Sequence, residues 1–306
     1  MKIMVFDVGG TEIKYSVMDE QMHRTDSGAV PTPQDTQAQF LDTVYRLYAP
    51  YKDEVTGIAM ALPGFVDNRT GYVSNGGALL YNTATPVGQL LAEKCGCPVI
   101  LENDGKAAAM AELANGALKD CCNAAVFIIG TGVGGGIIAN GQLVRGVHFT
   151  AGEYSFVNTN AEAWDAPDQN MACQCSTSNL LKWYRARKAL PEDAPLDGRS
   201  FFAAANAGEP EALEVLRRFC HAVAVQIFNL TVLLDVEKVA IGGGISKQPL
   251  LLESLRSAYD GLYASRAGQA YMEGLPRCQI VPCAFSSEAN QVGVAAAYFE
   301  AMQKKC

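Results

Sequence analysis

The sequence predicts an α/β protein of two lobes with a cleft between them. Apolar, strand-like runs alternate with helical patterns over 306 residues, and three glycine-rich turns each follow such a run. With 49% hydrophobic residues, a chain of this length can fill two cores. The turns are DVGGTEIK (Asp7 to Lys14), IGTGVGGG (Ile129 to Gly136) and AIGGGIS (Ala240 to Ser246). Because bare backbone N–H groups can hold a phosphate, three such turns indicate a nucleotide site.

The first half alternates strands with helices. Two hairpin-like strands (KIMVFDVGG and EIKYSVMD) come first, and the alanine-rich run after PVILEND favours a helix because Ala loses no side-chain entropy there. This alternation predicts a largely parallel sheet. The other predicted elements are a helix near Thr36 to Tyr48, the strand GIAMAL, a helix from Val87 to Lys94, the strand PVILEND, and the alanine-rich helix from Gly105 to Leu118.

The second half opens in the same way as the first. After a short polar stretch at Lys119 to Asn123, the strand AAVFIIG, a glycine turn and the strand GGIIANGQLV follow, which indicates a repeated architecture. The polar segment Thr159 to Gln174 predicts a loop. Helical periodicity covers Leu180 to Lys188, Ser200 to Asn206, Pro210 to Leu234 and Pro249 to Tyr259.

The last helix, Gln291 to Gln303, reads as amphipathic and could pack back on the first lobe. The predicted lobes are therefore residues 1–118 plus 291–306, and residues 119–290.

Composition narrows the partners and the compartment. A net charge of −8 and a pI near 5.0 disfavour a broad surface for nucleic acid. No export signal and no long uncharged apolar run are found, so we expect a cytoplasmic protein with no membrane partner. In such a chain most of the ten cysteines are expected to be small buried hydrophobes, and only Cys173 and Cys175 invite a metal interpretation.

Asp7 is a candidate for the phosphate and metal chemistry. It ends the first strand, with Val8 between it and the run Gly9, Gly10 and Thr11, so its carboxylate can face a metal-bound phosphate while the turn holds the oxygens. An aspartate that caps a tight hairpin would look the same. The second turn, with Thr131 and its glycines, favours the phosphate interpretation because it can hold the same oxygens from the other lobe.

Asp104 is the candidate general base, since it follows Asn103 at the end of PVILEND, where α/β proteins place ligand chemistry. A carboxylate there can accept the proton of a substrate hydroxyl as it attacks a phosphate. A helix N-cap is the alternative. Glu153, in FTAGEYSF, is either an acceptor for sugar hydroxyls or part of a surface turn.

Several motifs together resemble those of the ROK (repressor, open reading frame, kinase) sugar kinases. They occur in the family's order from Asp7 to about Ala297: DVGGTEIK, ALPGFVD, ENDGKAAAMAE, GTGVGGGIIANGQLVRG, AGE and IGGGIS. The resemblance implies the actin-like ATPase (ribonuclease H-like) fold and Mg²⁺-dependent phosphorylation of a sugar by ATP in the cleft. It also implies a homodimer.

The resemblance assigns a role to each matching residue. Asp104 matches the general base, Asn103 and Glu153 match sugar contacts, and Gly64 and Gly77 fall where family members touch the sugar. The phosphate and adenosine contacts are, in order, the first loop (Asp7, Gly9, Gly10, Thr11, Lys14), the second loop (Thr131, Gly132, Gly134, Gly135) and the adenosine turn (Gly242, Gly243, Gly244).

One departure from the family pattern concerns zinc. Family members carry a histidine three residues after the glutamate of AGE and three cysteines, but here Phe156 and Leu180 stand at two of those positions. Two remaining cysteines cannot hold a four-coordinate zinc, so we expect none. A zinc-less chain with Gly76, Gly77 and Ala78 resembles the β-glucoside kinases.

Two other functions are open from the sequence. The family includes sugar-responsive repressors, which have a helix-turn-helix segment before the first loop, whereas we expect none in the residues that precede Asp7. A sugar-binding sensor without turnover is the other alternative, and it would not need Asp104 together with both phosphate turns.

Overall fold

The computed structural model describes residues 1–303 as two compact units. The first contains Met1–Gly116, Leu143–Ala151 and the chain from Ser287 onward, and the second contains Ala117–Gln142 and Gly152–Ser286. Residues 143–151 thus belong to the first unit, unlike in the division expected from sequence. The physical reason is that Arg145 pairs with Glu102 and Arg69 stacks on Phe149, all within that unit.

The first unit is built on a mixed five-stranded sheet of order β3-β2-β1-β4-β7. Strands β1, β2 and β3 pair antiparallel, whereas β1, β4 and β7 pair parallel. The prediction of a largely parallel sheet was therefore wrong for the part formed by β1, β2 and β3. The elements are β1 (Lys2–Val8), β2 (Glu12–Asp19), β3 (Arg24–Pro31), α1 (Gln37–Tyr48), β4 (Ile58–Leu62), β5 (Phe65–Asp67), β6 (Tyr72–Asn75), α2 (Val87–Cys95), β7 (Val99–Asn103) and α3 (Asp104–Asn115).

Parallel pairing brings the polar strand ends of this sheet to one edge. Asp7 of β1 lies opposite Ala61 of β4, and Leu62 lies opposite Asn103 of β7. The strands reach this edge with buried apolar residues on both faces, as in IAMAL of β4, because helices or loops cover both sides of the sheet. The carboxyl ends of such strands are where α/β folds place ligands.

The second unit repeats this topology with the sheet order β10-β9-β8-β11-β12, in which the edge strand β10 continues into residues 143–144 of the first unit. Again β8 and β9 form an antiparallel hairpin, and β8, β11 and β12 are parallel, which agrees with the repeat predicted from the two similar openings. The elements are β8 (Ala124–Ile129), β9 (Val133–Ala139), β10 (Gln142–Val144), α4 (Met171–Cys175), α5 (Thr177–Arg187), α6 (Gly198–Asn206), α7 (Pro210–Leu234), β11 (Lys238–Gly242), α8 (Pro249–Ala264) and β12 (Gln279–Pro282).

A short helix, α4, lies in the segment that the sequence predicted to be a loop throughout. Asn170 starts it by accepting a hydrogen bond from the Cys173 N–H, and Met171 and Cys175 bury their side chains in the core of the second unit. Five residues are too few to give a helical period, which is why the pattern was not visible. Among residues 1–303, no helix is both long and apolar enough to cross a bilayer.

The last helix, α9 (Ala289–Gln303), packs against α3 and β4 of the first unit, as predicted. Its expected amphipathic character was wrong, since Val292, Val294, Ala295 and Tyr298 all have buried side chains although they point in different directions around the helix. At Gly293 the two helices approach so closely that a Cβ atom would overlap the carbonyl oxygen of Ala107.

Substituting Gly293 tests this close approach. We expect Gly293→Ala to lower the free energy of unfolding by about 1–3 kcal/mol, because the added methyl group must push α9 away from the α3 backbone. The measurement is urea-induced unfolding followed by circular dichroism.

Gly261→Ala is the matched control. Gly261 lies in α8, and the space that a Cβ atom would occupy there is open, so alanine should stabilise the protein by about 0.5–1 kcal/mol through helix propensity. Equal stability of the Gly293→Ala protein and the wild type would contradict the close packing.

Candidate active site

Asp7 lies buried at the carboxyl end of β1, with only 9% of its surface exposed. Its Oδ1 accepts a hydrogen bond from Asn290 Nδ2 at 2.9 Å, and it faces Lys14 across the β1–β2 hairpin. Burial raises the pKa of Asp7 above its usual range, while the Asn290 bond and the Lys14 charge oppose that rise. A bound cation would therefore stabilise the ionised form of this carboxylate.

The first glycine turn is fixed by side chains that follow β3. Thr32 Oγ1 donates to the Gly9 carbonyl at 2.8 Å, and Gln34 Nε2 donates to the Gly10 carbonyl at 2.7 Å. Thr11 is exposed at the tip, and its carbonyl accepts from the Thr32 N–H. With these carbonyls occupied, the turn has a defined shape before any ligand arrives.

Asn103, rather than Asp104, caps helix α3. Its Oδ1 accepts from the Lys106 N–H at 3.0 Å, so the alternative of Asp104 as a simple N-cap was wrong. Asp104 is the first helical residue, and its Oδ1 accepts from its own neighbour, the Gly105 N–H, at 2.7 Å and from Asn103 Nδ2 at 3.1 Å. Two donors thus orient the Asp104 carboxylate at the positive end of a helix.

The predicted sugar contacts of the first unit lie together. Asn103 Nδ2 also donates to the Gly64 carbonyl at 2.9 Å, and Gly64 packs so tightly against Asn75 and Gly77 that a side chain there would overlap backbone atoms. Gly64 also has a φ of +93°, which disfavours other residues.

This cluster continues to the first glycine turn. A Cβ atom on Gly10 would lie 3.1 Å from the Ala78 side chain, directly after Gly77. Asn103, Asp104, Gly64 and Gly77 therefore share one edge of the first unit with the turn that carries Thr11.

A partly buried ion pair lies next to this edge, and it was not predicted from the sequence. Glu102 is fully buried; its Oε2 accepts from Arg145 Nε at 2.8 Å and its Oε1 from the Asn103 N–H at 3.1 Å. Alternation along β7 turns Glu102 away from the neighbouring Asn103 side chain. Arg145 and Glu102 are 43 residues apart in the chain, so no local sequence pattern predicts that they pair.

The glycine turn of the second unit is shorter than predicted. Only residues 130–132 connect β8 to β9, and the Gly130 N–H donates to the Gly132 carbonyl. Gly134 and Gly135 lie within β9, opposite Ile128 and Phe127. Thr131 is exposed in the turn, whereas Gly135 is buried in the sheet, so the structure does not bring the four predicted phosphate contacts into one loop.

The third glycine turn lies against the second. Gly242 ends β11, and Gly243 follows with its backbone so close to the Ile129 carbonyl that a Cβ atom would overlap it. The Ser246 hydroxyl donates to the Gly243 carbonyl at 2.9 Å and closes the turn, leaving Gly243 and Gly244 exposed. The predicted adenosine contacts thus share one edge of the second unit with Thr131.

Glu153 is anchored beside the same edge. It immediately precedes a 3₁₀ turn, Tyr154–Phe156, in which Tyr154 is buried and donates to the Gly136 carbonyl at 3.1 Å. Ser155 Oγ accepts from the Val133 N–H at 3.1 Å, next to Gly132. Glu153 therefore belongs to a turn that is bonded to β9 rather than to a separate surface loop.

The cysteines of α4 differ in their surroundings. Cys175 lies in the apolar core with Leu180, and burial raises the pKa of its thiol to about 12. Cys173 is half-buried and contacts the Pro167 carbonyl through its thiol. Phe156 is 70% exposed. Within residues 1–303 no three His, Cys, Asp or Glu side chains are grouped to hold a metal ion.

Comparison with known proteins agrees with the motifs. The model of the ROK family matches residues 3–303. A β-glucoside kinase of Listeria innocua is 30% identical over 258 residues, which cover 84% of this chain and 87% of the relative. An N-acetyl-D-glucosamine kinase of Vibrio atlanticus is 31% identical over 277 residues, covering 82% and 86%.

A solved structure gives the same result for the fold. The crystal structure of a ROK family protein from Streptococcus pneumoniae, in complex with sucrose, matches with a TM-score of 0.86 at 28% identity. The match covers 99% of this chain and 100% of the other. The predicted fold class, an α/β protein with the two-lobed actin-like architecture, is confirmed.

The buried carboxylate of Asp7 predicts a dependence of stability on pH. Because its pKa in the folded state lies above the ordinary value of 3.8, the native protein holds the proton more tightly than the unfolded chain does. At pH values above 3.8 the ionised Asp7 therefore lowers the free energy of unfolding. Asp7→Asn should raise the midpoint of thermal unfolding at neutral pH by a few degrees.

The difference in thermal midpoint between Asp7→Asn and the wild type should decrease as the pH falls toward 3.8, because the wild-type carboxyl then becomes neutral. Thermal scans at several pH values measure it, with the exposed Asp35→Asn as control. A lower midpoint for Asp7→Asn at neutral pH would show that the ionised form is stabilising instead.

Proposed function

The chain belongs to the ROK family and is a carbohydrate kinase, and we propose that it phosphorylates the 6-hydroxyl of a hexose or β-glucoside with Asp104 as general base. ATP is the proposed phosphate donor. The observation that carries the proposal is the placement of Asp104, oriented by Asn103 and Gly105, on the edge that also holds Gly64, Gly77 and the first glycine turn.

In the proposed reaction, Asp104 accepts the proton of the sugar hydroxyl as its oxygen attacks the γ-phosphorus of ATP, and the bond to the β-phosphate oxygen breaks. Asn103 positions this base, because its amide donates to both the carboxylate and the Gly64 carbonyl. Asn103 and Glu153, with the backbone at Gly64 and Gly77, are the proposed sugar contacts.

Each unit contributes phosphate contacts to the proposal. The first supplies Asp7, Gly9, Gly10, Thr11 and Lys14; the second supplies Thr131 and Gly132, with Gly134 and Gly135 behind them in β9, and Gly242 to Gly244 for adenosine. Backbone N–H groups of such turns stabilise the charge on the phosphate oxygens without having to reorganise.

Asp7 is the residue that would hold Mg²⁺, through a water or a phosphate oxygen. Its carboxylate fits a hard cation, since it is an oxygen donor whose burial disfavours the ionised form in the absence of positive charge. Magnesium, when bound, would neutralise phosphate charge; Asn290 meanwhile fixes the orientation of the Asp7 carboxylate.

The β-glucoside preference is supported by the relatives named as β-glucoside kinases and by Phe156, which stands where the resemblance implies a zinc-bound histidine. An exposed aromatic side chain near Glu153 favours a ring stacked beyond the phosphorylated sugar. Homodimer formation stays a prediction.

Substitution of Asp104 tests the assignment of the base. Asp104→Asn keeps the shape and should lower kcat by about 10²–10⁴-fold, because it can no longer accept the proton, while sugar affinity by calorimetry stays close to the wild type. The measurement is a coupled assay of ADP release, and Asp35→Asn, an exposed aspartate, is the matched control.

A rate for Asp104→Asn within a few-fold of the wild type would exclude Asp104 as the base. Sugar binding by the wild type without any ADP release would favour a sensor instead.

A substrate panel tests specificity and metal content together. We expect cellobiose and gentiobiose to give the highest kcat/KM among glucose, mannose, fructose, N-acetylated hexosamines and these disaccharides. Metal analysis of the purified protein should find substoichiometric zinc, because Phe156 and Leu180 cannot act as ligands. One zinc per chain, or no turnover of any β-glucoside, would contradict the corresponding part of the proposal.

A further inference from the structure

A cavity of about 410 Å³ opens in the second unit beside the N-terminus of α5, and among the described residues Thr131 is the one proposed active-site residue in its lining. Thr131 of the second glycine turn lies on one wall. The other walls come from the segment before α4, from the first turns of α5, and from Arg218 of α7. All of these residues belong to the second unit.

An unsatisfied donor is buried in this lining. Asn179 is only 8% exposed, and its Nδ2 has no hydrogen-bond partner among the described residues. A buried amide without a partner costs roughly 1–3 kcal/mol, so such groups are rare unless a ligand or water completes them. Asn179 lies in the cavity wall, and its Nδ2, which is itself covered, would reach a bound ligand after a rotation of the side chain.

Two cations line the same cavity. The Arg218 guanidinium lies over the Trp183 ring, 3.8 Å from its centroid, which holds it in place without using its hydrogen-bond donors. Lys182 is exposed at the rim. Across residues 1–303, neither cation forms an ion pair with a carboxylate.

The start of α5 adds a further positive contribution. Ser176 caps this 11-residue helix by accepting from the Asn179 N–H at 3.2 Å, and Ser176 and Ser178 both line the cavity. The N-terminus of a helix favours anions through its dipole and its free N–H groups.

One lining residue opposes an anion. Asp168 is the single carboxylate in the lining, and it is exposed at the rim with its Oδ1 accepting from Gln169 Nε2 at 3.0 Å. Two cations, a helix N-terminus and a buried amide outweigh it.

We propose that this cavity is a binding site for a phosphate-type oxyanion, either inorganic phosphate or the phosphate group of a sugar phosphate, held by Asn179, Lys182 and Arg218. Since Thr131 lines the same cavity, occupancy would place a negative charge next to a residue proposed to contact the phosphates of ATP. A phosphate ester bound there would therefore weaken ATP binding. This inference does not depend on the identity of the sugar that is phosphorylated.

Cysteine labelling provides a test that does not require turnover. Cys173 lines the cavity and is half-buried, whereas Cys122 is exposed in the same unit outside this lining. Alkylation by iodoacetamide, followed residue by residue by mass spectrometry, should slow at Cys173 as phosphate is added, with a saturable dependence, while Cys122 reacts at an unchanged rate. Chloride at equal ionic strength controls for screening.

Variants assign the effect to the proposed contacts. Arg218→Gln and Asn179→Leu should each weaken the phosphate dependence by about tenfold or more, since a hydrogen bond to a charged group is lost. Arg217→Gln is the matched control, because Arg217 lies next along α7 but lines a different groove with His221. Lys182→Gln, at an exposed position, should also weaken the phosphate dependence, and it replaces Asn179→Leu if that variant does not fold.

A second readout uses Trp183. The chain has two tryptophans, so Trp164→Phe leaves Trp183 as the one that reports. Its fluorescence should change with phosphate at the concentration that protects Cys173. A sugar 6-phosphate in a parallel titration distinguishes the two sources by which of them binds more tightly.

Three outcomes would overturn the site. These are no saturable protection by either phosphate or sugar phosphate, equal loss of protection in Arg217→Gln and Arg218→Gln, or protection by ATP alone. The last would mean that the cavity belongs to the nucleotide site.

Discussion

The side chain of Asn103 is the contact on which the first unit's site depends. Its oxygen caps α3, and its amide nitrogen bonds both the Gly64 carbonyl and the Asp104 carboxylate. One planar group therefore fixes the start of a helix, the end of β4 and the direction of the proposed base. No other residue type offers an acceptor and two donors of this size at the end of a strand. The buried Glu102, which accepts from the Asn103 N–H, supports this arrangement from behind.

The two units share one sheet topology. In each, a hairpin brings a glycine turn to the edge where parallel strands end, and a second turn packs beside it. The polar groups differ, however. The first unit presents Asp7 and Asp104 with Thr11 and Lys14, whereas the second presents Glu153, the Thr131 hydroxyl and the cations Lys182 and Arg218. The proposed base and the proposed magnesium ligand therefore both come from the first unit, whereas Lys182 and Arg218 belong to the proposed phosphate cavity of the second.

The sequence predicted the strands, the glycine turns and the candidate base, because each of these depends on a local residue pattern. Strand runs followed by glycine turns predicted β1, β8 and β11, and the Asn103–Asp104 pair at a strand end predicted the candidate base. What was missed depends on contacts between distant residues. The pairing of Glu102 with Arg145 placed residues 143–151 in the first unit, and the all-round burial of α9 follows from packing partners that its own pattern does not specify. Gly134 and Gly135 were expected in a loop because glycine suggests a turn, yet pairing with β8 places them in a strand.

The bond between Asn290 and Asp7 joins residues 283 apart in the chain. During synthesis on a ribosome, the amide that steadies the first strand emerges on the order of tens of seconds after that strand. The second unit has every one of its own strands by β12 and can settle while the first still lacks α9. Nascent chains of this protein therefore hold the amino-terminal sheet without its α9 cover for most of translation, which makes the uncovered face of that sheet the part most in need of chaperone protection.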